Sequence, residues 1–370
     1  MSSSREMIDW DLALRQDDNR SDAVRDTARA FLGRSRRFSR FVIGRNGEAI
    51  ACTEVTKVDG LVDDSARSGE TWNDLPVVGA DALPMGAIVA NCSSAIRPVS
   101  AHARIETRGG VRVVAYADLV REDRRLPFPA FVALSREDLR ANAERWKRLE
   151  LNLCDEASQR VLESVLLYRM TGDYSHMSGF SVRFDEQYFD SVARIGESKV
   201  FVDCGGYDGD TVRGYALRVP DYKRVYMFEP SPPNVAAARQ QLQPMRDIEI
   251  VAAAVSDTVG TLAFDPSAGS ASRVADAGGI KVNVVTIDEA VREPVDFIKM
   301  DLEGWERHAL VGARKHIAHD HPKLAIAVYH RPDDFWWIPE YVLGLRSDYD
   351  LYLRHYSEGW SETVMYFIPR

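Results

Sequence analysis

The chain has 370 residues, of which 45% are hydrophobic and 28% are charged, a balance typical of globular proteins. Its formal net charge of −9 excludes the broad basic surface typical of proteins that bind nucleic acid. The longest apolar runs have the length of single strands, so we expect no signal peptide and no membrane span. The four cysteines lack CxxC spacing, which argues against disulfide frameworks and zinc ribbons and favours a soluble cytoplasmic protein.

The first part of the chain predicts a helical arm followed by a small α/β domain. Residues 1–40 are polar, with one helix predicted over Ser21–Leu32. Residues 41–120 alternate short apolar runs with turn residues and predict a β-α-β unit and further short strands. The turn GRNG after the first strand, with Asp63 and Asp64 after the second, resembles a truncated nucleotide-binding half-fold. Such a unit could hold a nucleotide-linked sugar, but the short motif lacks the full fingerprint and favours a structural relic that dimerises or docks substrate.

Residues 121–185 predict a helical connector, and residues 186–370 predict a second and larger α/β domain. In the connector, SREDLRANAERWKRLE predicts a helix capped by Ser135, with Glu137 and Asp138 in its first turn, where acids are favoured. In the larger domain, five short apolar runs alternate with helical patterns. This alternation predicts a doubly wound, largely parallel sheet.

The five predicted strands of the larger domain end in polar residues. They are Asp203, Glu229, Asp257, Asp301 and His330. Ligands of such sheets bind at the carboxyl ends of the strands, so we expect these side chains to share one edge and to form the functional site.

The glycine-rich turn in VFVDCGGYDGDT indicates the cofactor. Three aspartates surround its glycines: Asp203, Asp208 and Asp210. A diphosphate would be repelled there, and Cys204 stands where a dinucleotide fingerprint has its first glycine. S-adenosylmethionine has an ammonium, a sulfonium and no phosphate, so acidic neighbours favour it, and the glycines would let backbone amides reach its carboxylate. Glu229, twenty residues after Gly209, has the spacing of an acid that binds ribose hydroxyls.

Five sequence blocks are similar to successive blocks of the FkbM-family methyltransferases: VFVDCGGYDGDT, MFEPSPPN, AAAVSD, FIKMDLEGWERHALVGA and LAIAVYHRPDD. The resemblance spans most of residues 186–370 and implies a class I methyltransferase fold and methyl transfer from S-adenosylmethionine, usually to an oxygen. It implies that Asp301 and Glu303 lie at the reacting centre. This sequence differs from the family at Trp305, where the family more often has a smaller residue. The predicted cofactor-binding residues are Asp203, Gly205, Gly206, Asp208, Gly209, Asp210, Thr211, Glu229, Pro230, Ser231, Val255, Ser256, Asp257 and Asp301.

The leading candidate for removing a proton from a hydroxyl acceptor is His330, because an imidazole titrates near the working pH. Its alternative role is to satisfy a strand-end backbone group. Asp301 and Glu303 are predicted to orient the acceptor or contact the cofactor, and one of them could cap the following helix. Together with His330 they also form a candidate Mg²⁺ site, which is the minority hypothesis.

Two aromatic segments flank the predicted site. Trp336, Trp337 and Tyr341 are interpreted as core or interface residues, with a stacking platform for a sugar or polyketide acceptor as the alternative. QYF at 187–189 precedes the cofactor-binding domain and is a candidate for closing over the ligand.

The sequence therefore predicts a class I methyltransferase-like (Rossmann-like) doubly wound sheet, preceded by a smaller α/β half-Rossmann domain and a helical connector. The predicted activity is S-adenosylmethionine-dependent O-methylation of a small molecule or glycan in natural-product or polysaccharide biosynthesis. One alternative is an NAD(P)-linked oxidoreductase or epimerase that uses the N-terminal half-fold. Another is an inactive cofactor-binding scaffold. A homo-oligomer is compatible with the sequence, and no nucleic-acid partner is expected.

Overall fold

The structure is a computed structural model that describes residue 8 and residues 20–34, 37–265, 273–274 and 279–370. The chain divides into two compact units. Unit 1 comprises Met1–Ala143, Arg160–Val182 and Tyr356–Glu362, and unit 2 comprises Glu144–Gln159, Arg183–His355 and Thr363–Arg370. None of the helices in the described ranges combines the length and the apolar character needed to span a bilayer.

Unit 1 is built on a mainly parallel sheet. Its strands are β1 (Arg40–Ile43), β2 (Gly60–Val62), β3 (Thr71–Trp72), β4 (Leu75–Val78), β5 (Ile88–Asn91) and β6 (Arg112–Ala115). The parallel strands lie in the order β4-β2-β1-β5-β6, and β3 pairs antiparallel with β4 at one edge. Its helices are α1 (Asp22–Leu32), α2 (Gly47–Val55), α3 (Pro98–Glu106) and α4 (Tyr116–Glu122). The predicted helix and β-α-β unit are thus confirmed, and the remainder of the predicted arm falls largely outside the described residues.

Unit 2 is built on a seven-stranded sheet. Its strands are β7 (Val200–Cys204), β8 (Arg224–Phe228), β9 (Ile248–Val251), β14 (Phe297–Met300), β15 (Lys323–Ala327), β16 (Tyr349–His355) and β17 (Thr363–Pro369). They lie in the order β16-β17-β15-β14-β7-β8-β9, with β17 antiparallel to both of its neighbours and the other pairings parallel. The strand order therefore reverses between β7 and β14, which makes their carboxyl ends the expected ligand site.

One predicted strand of unit 2 is wrong in detail. The run IEIVAAAVSD forms two strands, because β9 joins the large sheet whereas β10 (Ala254–Val255) joins a second sheet with β11 (Gly260–Asp265), β12 (Arg273–Val274) and β13 (Ile280–Val285). Asp257 therefore follows a strand of the small sheet. The antiparallel strands β16 and β17 lie outside the five predicted runs.

The remaining described helices belong to the predicted connector and to the larger α/β domain. They are α5 (Ala130–Asn152), α6 (Glu156–Thr171), α7 (Asp210–Arg218), α8 (Pro232–Leu242), α9 (Ile287–Ala290), α10 (Glu306–Gly312), α11 (Arg314–His319) and α12 (Asp334–Leu345), with 3-10 turns at Ala80–Ala82, Tyr174–Met177, Ser191–Ala193 and Ile195–Glu197. The predicted N-cap at Ser135 is wrong, because α5 begins five residues earlier and buries this serine. The predicted connector also contributes residues to both units.

The core of unit 2 lies around its central strands. Every residue of β7 and β14 is buried, which agrees with their sequences being apolar apart from Asp203 and Lys299. Phe201 stacks on Phe297 and on Tyr215, with ring centroids 5.1 and 4.4 Å apart. Burying each such side chain contributes about 1.5–3 kcal/mol. This packing holds the carboxyl ends of the two strands, and the residues that follow them, in a fixed position.

Candidate active site

The loop between β7 and α7 turns sharply at its glycines. Gly205 has a φ of +81°, and a Cβ atom on it would overlap the carbonyl oxygen of Asp301, so only glycine lets the loop pass this close to the end of β14. The amides of Gly205 and Gly206 both donate to the Phe228 carbonyl, at 3.0 and 3.1 Å, and the amide of Gly209 donates to Gly206. These three amides are therefore committed to shaping the loop. They are not the donors to a cofactor carboxylate that the sequence predicts.

Asp203 and Lys299 form an ion pair inside the sheet. They lie in register on β7 and β14, their side chains are 0% and 3% exposed, and Lys299 Nζ lies 3.0 Å from Asp203 Oδ1. Lys299 Nζ also donates to the Gly205 carbonyl at 2.8 Å. Burial alone would lower the pKa of Lys299, but the charges of Asp203 and Asp301 raise it above its ordinary value. Asp203 thus faces a charged lysine. Its predicted effect on cofactor binding would therefore be indirect, through Lys299 and the glycine loop.

Glu229 follows β8, and its carboxylate can accept more hydrogen bonds than the described residues donate to it. Its Oε2 accepts the Tyr207 amide at 3.0 Å, and its Oε1 accepts the Ser231 amide at 2.8 Å and Asn234 Nδ2 at 3.3 Å. Burial raises the pKa of Glu229 despite these donors. Because a carboxylate has about four acceptor positions, one position is left for a ligand hydroxyl. Pro230 and Ser231 lead from this carboxylate into α8.

Two further carboxylates lie at the end of the glycine loop and the start of α7. Asp208 is half-buried, and its two oxygens accept the Asp210 amide at 3.2 Å and Gln241 Nε2 at 2.7 Å. Asp210 is exposed and accepts the Thr211 amide at 2.6 Å. The loop therefore presents negative charge, which suits a cationic ligand and repels a phosphate.

The turn after β10 forms a polar and aromatic cluster with α10. Val255 ends β10, and the Ser256 hydroxyl lies 3.0 Å from Asp257 Oδ1 and accepts the indole N–H of Trp305 at 3.3 Å. Trp305 stacks on His308 with 4.0 Å between ring centroids, and His308 Nδ1 lies 3.5 Å from Asp257 Oδ2. Trp305, the residue that differs from the resembling family, thus packs against the predicted cofactor turn.

Asp301 follows β14 and is held by two tyrosines. Tyr188 donates its hydroxyl to Asp301 Oδ2 at 2.5 Å, and Tyr329 donates to Asp301 Oδ1 at 3.4 Å. The Asp301 amide donates to the Cys204 carbonyl at 3.1 Å, which fixes the backbone beside the glycine loop. Tyr188 belongs to the QYF segment at 187–189, and its hydroxyl orients one oxygen of this carboxylate.

His330 lies among three carboxylates. Its Nε2 is 3.5 Å from Asp301 Oδ1 and 3.3 Å from Glu303 Oε2, and its Nδ1 is 3.0 Å from Glu306 Oε1. The side chain is only 8% exposed. Burial would lower the pKa of His330, but Glu306, Glu303 and Asp301 together raise it well above its ordinary value. The carboxylates therefore favour the imidazolium form, and the neutral imidazole is a stronger base than that of an ordinary histidine.

Glu306 is the functional candidate that the sequence analysis did not select. It begins α10, is fully buried, and its Oε1 accepts the Leu302 and Gly304 amides at 2.7 and 3.4 Å. An acid at the start of a helix is the pattern of a cap, and here it also contacts His330. The sequence feature that could have indicated Glu306 is its position in DLEGWE, three residues after Glu303.

The aromatic residues of α12 pack against neighbouring side chains. Trp336 is 7% exposed and has the Arg145 guanidinium 4.2 Å from its ring centroid. Trp337 stacks on Tyr341 with ring centroids 5.1 Å apart, and the Arg307 guanidinium lies 4.9 Å from the Trp337 ring. These contacts agree with the core interpretation of the sequence.

One group of side chains among the described residues has the spacing of a metal site. Donor atoms of Asp301, Glu306 and His330 lie within 4.8 Å of one another. This set replaces the predicted Glu303 by Glu306. Mg²⁺ prefers oxygen ligands, whereas this set includes an imidazole whose nitrogens already face carboxylates. The donor set therefore fits Mg²⁺ poorly.

The sheet order, the glycine loop and the acidic strand ends of unit 2 define a class I, Rossmann-like methyltransferase fold. The crystal structure of methyltransferase FkbM from Methylobacillus flagellatus KT has the same fold, with a TM-score of 0.71, 24% identity, and coverage of 94% of this chain and 93% of that one. Residues 203–358 match the model of the methyltransferase FkbM domain.

A curated relative matches part of this region. The 2-O-methyltransferase NoeI of Sinorhizobium fredii is 26% identical over 141 residues, which cover 31% of this chain and 58% of that protein. The chain thus matches little more than half of the length of this relative.

Proposed function

We propose that the chain is an S-adenosylmethionine-dependent O-methyltransferase that acts on a hydroxyl group of a small molecule or glycan. The main observation in favour is the buried imidazole of His330 among Asp301, Glu303 and Glu306, next to the glycine loop of a methyltransferase domain. A hydroxyl acceptor has to lose a proton during methyl transfer, and the neutral form of this imidazole is a strong base because the surrounding carboxylates raise its pKa. The name of the relative NoeI, a 2-O-methyltransferase, favours the same acceptor atom.

The residues at the carboxyl edge fit S-adenosylmethionine. The free acceptor position of Glu229 suits a ribose hydroxyl, and the acidic loop at Asp208 and Asp210 suits a cofactor with two positive charges and no phosphate. When bound, the cofactor supplies the activated methyl group. The Ser256–Asp257 turn and the Trp305 ring are the proposed surroundings of its adenine.

The residues of this chain have separate tasks in the proposed reaction. Neutral His330 accepts the proton of the acceptor hydroxyl, and the carboxylates around it stabilise the imidazolium that forms. Tyr188 and Tyr329 hold Asp301 in place, so that the carboxylate keeps the imidazole in one orientation. Fixed alignment of acceptor and methyl group can itself contribute about 7–11 kcal/mol to lowering the barrier.

Titration calorimetry of the purified chain tests the cofactor assignment. We expect binding of S-adenosylmethionine and of its demethylated product, and no binding of NAD⁺. Glu229→Gln should weaken binding of both by about 10- to 100-fold, since a charge-assisted hydrogen bond contributes about 1.5–3 kcal/mol. Glu249→Gln is the matched control, because Glu249 is exposed on β9 and pairs with Arg224.

Two results of this titration would contradict the proposal: binding of NAD⁺ alone, or an unchanged affinity of Glu229→Gln for the cofactor. Once binding is established, transfer of a labelled methyl group to a panel of sugars and phenols tests the acceptor. Label on nitrogen or carbon in place of oxygen would refute the O-methyl assignment.

Chelation tests the Mg²⁺ hypothesis. Methyl transfer is expected to survive exhaustive treatment with EDTA, because the imidazole of His330 already lies between the carboxylates that a cation would need. The measurement is the initial rate before and after chelation and after addition of Mg²⁺. A rate that falls at least tenfold and is restored by Mg²⁺ would show that a cation, and not His330, activates the acceptor.

A further inference from the structure

Unit 1 contains a cleft of about 950 Å³ at the edge of its parallel sheet. The cleft is lined by the carboxyl ends of β1 and β2 and by α3. The strand order of unit 1 reverses at β1, which lies between β2 and β5. Ligands of open parallel sheets bind outside the strands at such a reversal, and the volume lies in the range of small-molecule sites, about 300–1,000 Å³.

Three arginines line the cleft. Arg97 immediately precedes α3, and Arg104 lies seven residues later on the same face of that helix, with Ala101 between them. Arg45, two residues after the end of β1, also lines the cleft. Arg97 is exposed, and its guanidinium has no partner among the residues that the structure describes. The lining also includes two acids, Asp63 and Asp64.

The acids of the cleft hold two of these arginines in place. Asp63 Oδ2 accepts Arg45 Nε and Nη2 at 3.0 and 2.8 Å, while its Oδ1 accepts the amide and hydroxyl of Ser65 at 3.0 and 2.6 Å. Asp64 pairs with Arg104 and also accepts the Ala80 amide at 2.7 Å. These contacts use four acceptor positions of Asp63 and two of Asp64. Glu70 also pairs with Arg45, at 2.7 Å. The acids therefore position the Arg45 and Arg104 guanidinium groups and offset their charges, whereas the charge of Arg97 remains available for a ligand.

The N-terminus of α3 is not the anion site. Glu358, which belongs to the same unit, accepts the Ser100 amide and hydroxyl there, both at 2.8 Å. A bound anion therefore has to be held by guanidinium groups. The inner wall is apolar and consists of Leu61, Val62 and Ile105, each at most 6% exposed. Charge at the rim and an apolar wall beneath it suit a ligand with phosphates at one end and a flat ring at the other.

We propose that this cleft binds a nucleoside diphosphate, free or as a sugar conjugate. The diphosphate contacts Arg97 and Arg104, and the base packs against Val62 and Ile105. Free phosphate would fill only a small part of the volume. This inference rests on unit 1 alone and does not depend on the proposed methyl transfer.

Calorimetry on the full chain with UDP, ADP, UDP-glucose, NAD⁺ and inorganic phosphate tests the proposal. At least one of UDP, ADP and UDP-glucose is expected to bind, and its affinity should fall as salt concentration rises. UDP-glucose binding more tightly than UDP would identify the sugar conjugate as the ligand, and the reverse order would identify the free diphosphate.

Arg97→Ala should weaken this binding by about 10- to 100-fold, since it removes one charge-assisted contact. The fold should be unaffected, because the side chain is exposed and makes no described contact. Arg124→Ala, which removes an exposed arginine between α4 and α5, is the matched control and should change the affinity less than twofold.

Four outcomes would overturn the proposal. Phosphate binding as tightly as UDP and ADP would mean a simple anion site. NAD⁺ binding in preference to all mononucleotides would mean a dinucleotide site. The absence of binding by every probe, or equal affinity of Arg97→Ala and the unchanged chain, would mean that the cleft does not hold phosphorylated nucleosides.

Discussion

Lys299→Met is expected to lower the free energy of unfolding by about 3–5 kcal/mol, the usual effect of removing one member of a buried ion pair. The substitution leaves Asp203 buried without its partner and also removes the donor to the Gly205 carbonyl. The cost comes from the uncompensated charge, because Met fills nearly the same volume as Lys. Urea unfolding measures the change, and a constant slope of the transition confirms that the two-state comparison is valid.

A double-mutant cycle separates the lost charge pair from lost packing. Asp203→Leu combined with Lys299→Met should cost less than the two single substitutions added together, by on the order of 1–3 kcal/mol, since no charge is left unpaired. Lys199→Met is the control. Lys199 pairs with Asp221 at 2.6 Å on the exposed surface of the same unit, and its loss should have a much smaller effect. Equal effects of Lys199→Met and Lys299→Met would show that the buried pair has no special role.

His330→Gln is expected to lower kcat by about 10²- to 10⁴-fold, the usual contribution of a general base, with cofactor affinity within about twofold of the unchanged chain. Gln keeps a polar side chain of similar size but cannot take the proton. His319→Gln is the matched control, because His319 is exposed at the end of α11. Unchanged turnover in His330→Gln would show that His330 has only a structural role.

The pH profile gives a second and independent test of the base. The imidazole has to be neutral to accept a proton, and its neighbours raise the pKa of His330 well above 6.5. The rate should therefore rise with pH through a value well above 6.5. Glu306→Gln removes the carboxylate nearest to the imidazole and should move this limb to lower pH. A rate that falls with pH over this range would mean that His330 acts as a proton donor.

Much of the candidate site followed from the sequence because strand ends are easy to place. Short apolar runs fix where β7, β8, β14 and β15 end, and parallel strands put those ends at one edge. For this reason Asp301 and His330, predicted from different strands, do meet. Asp257 was assigned to the same edge from one apolar run, but the chain changes sheet within that run, and apolar periodicity does not show such a change.

Other residues of the site cannot be predicted from local sequence patterns. Lys299 lies in an apolar strand, and only the pairing of β7 with β14 shows that its charge meets Asp203. Tyr188 is 113 residues from its partner Asp301, and contacts over such separations leave no trace in sequence spacing. The pattern of Glu306 is that of a helix cap, and its contact with His330 depends on the angle between α10 and the chain after β15.

The sequence by itself determined the alternation of strands and helices, the positions of the strand ends and the acidic glycine loop, since these depend on local periodicity and turn chemistry. Only the tertiary structure decided which charges meet. It pairs Asp203 with Lys299 instead of leaving it open to a ligand, and it surrounds His330 with carboxylates that raise its pKa. The physical reason is that burial and the distance between charges set these properties, and both arise only when distant segments pack together.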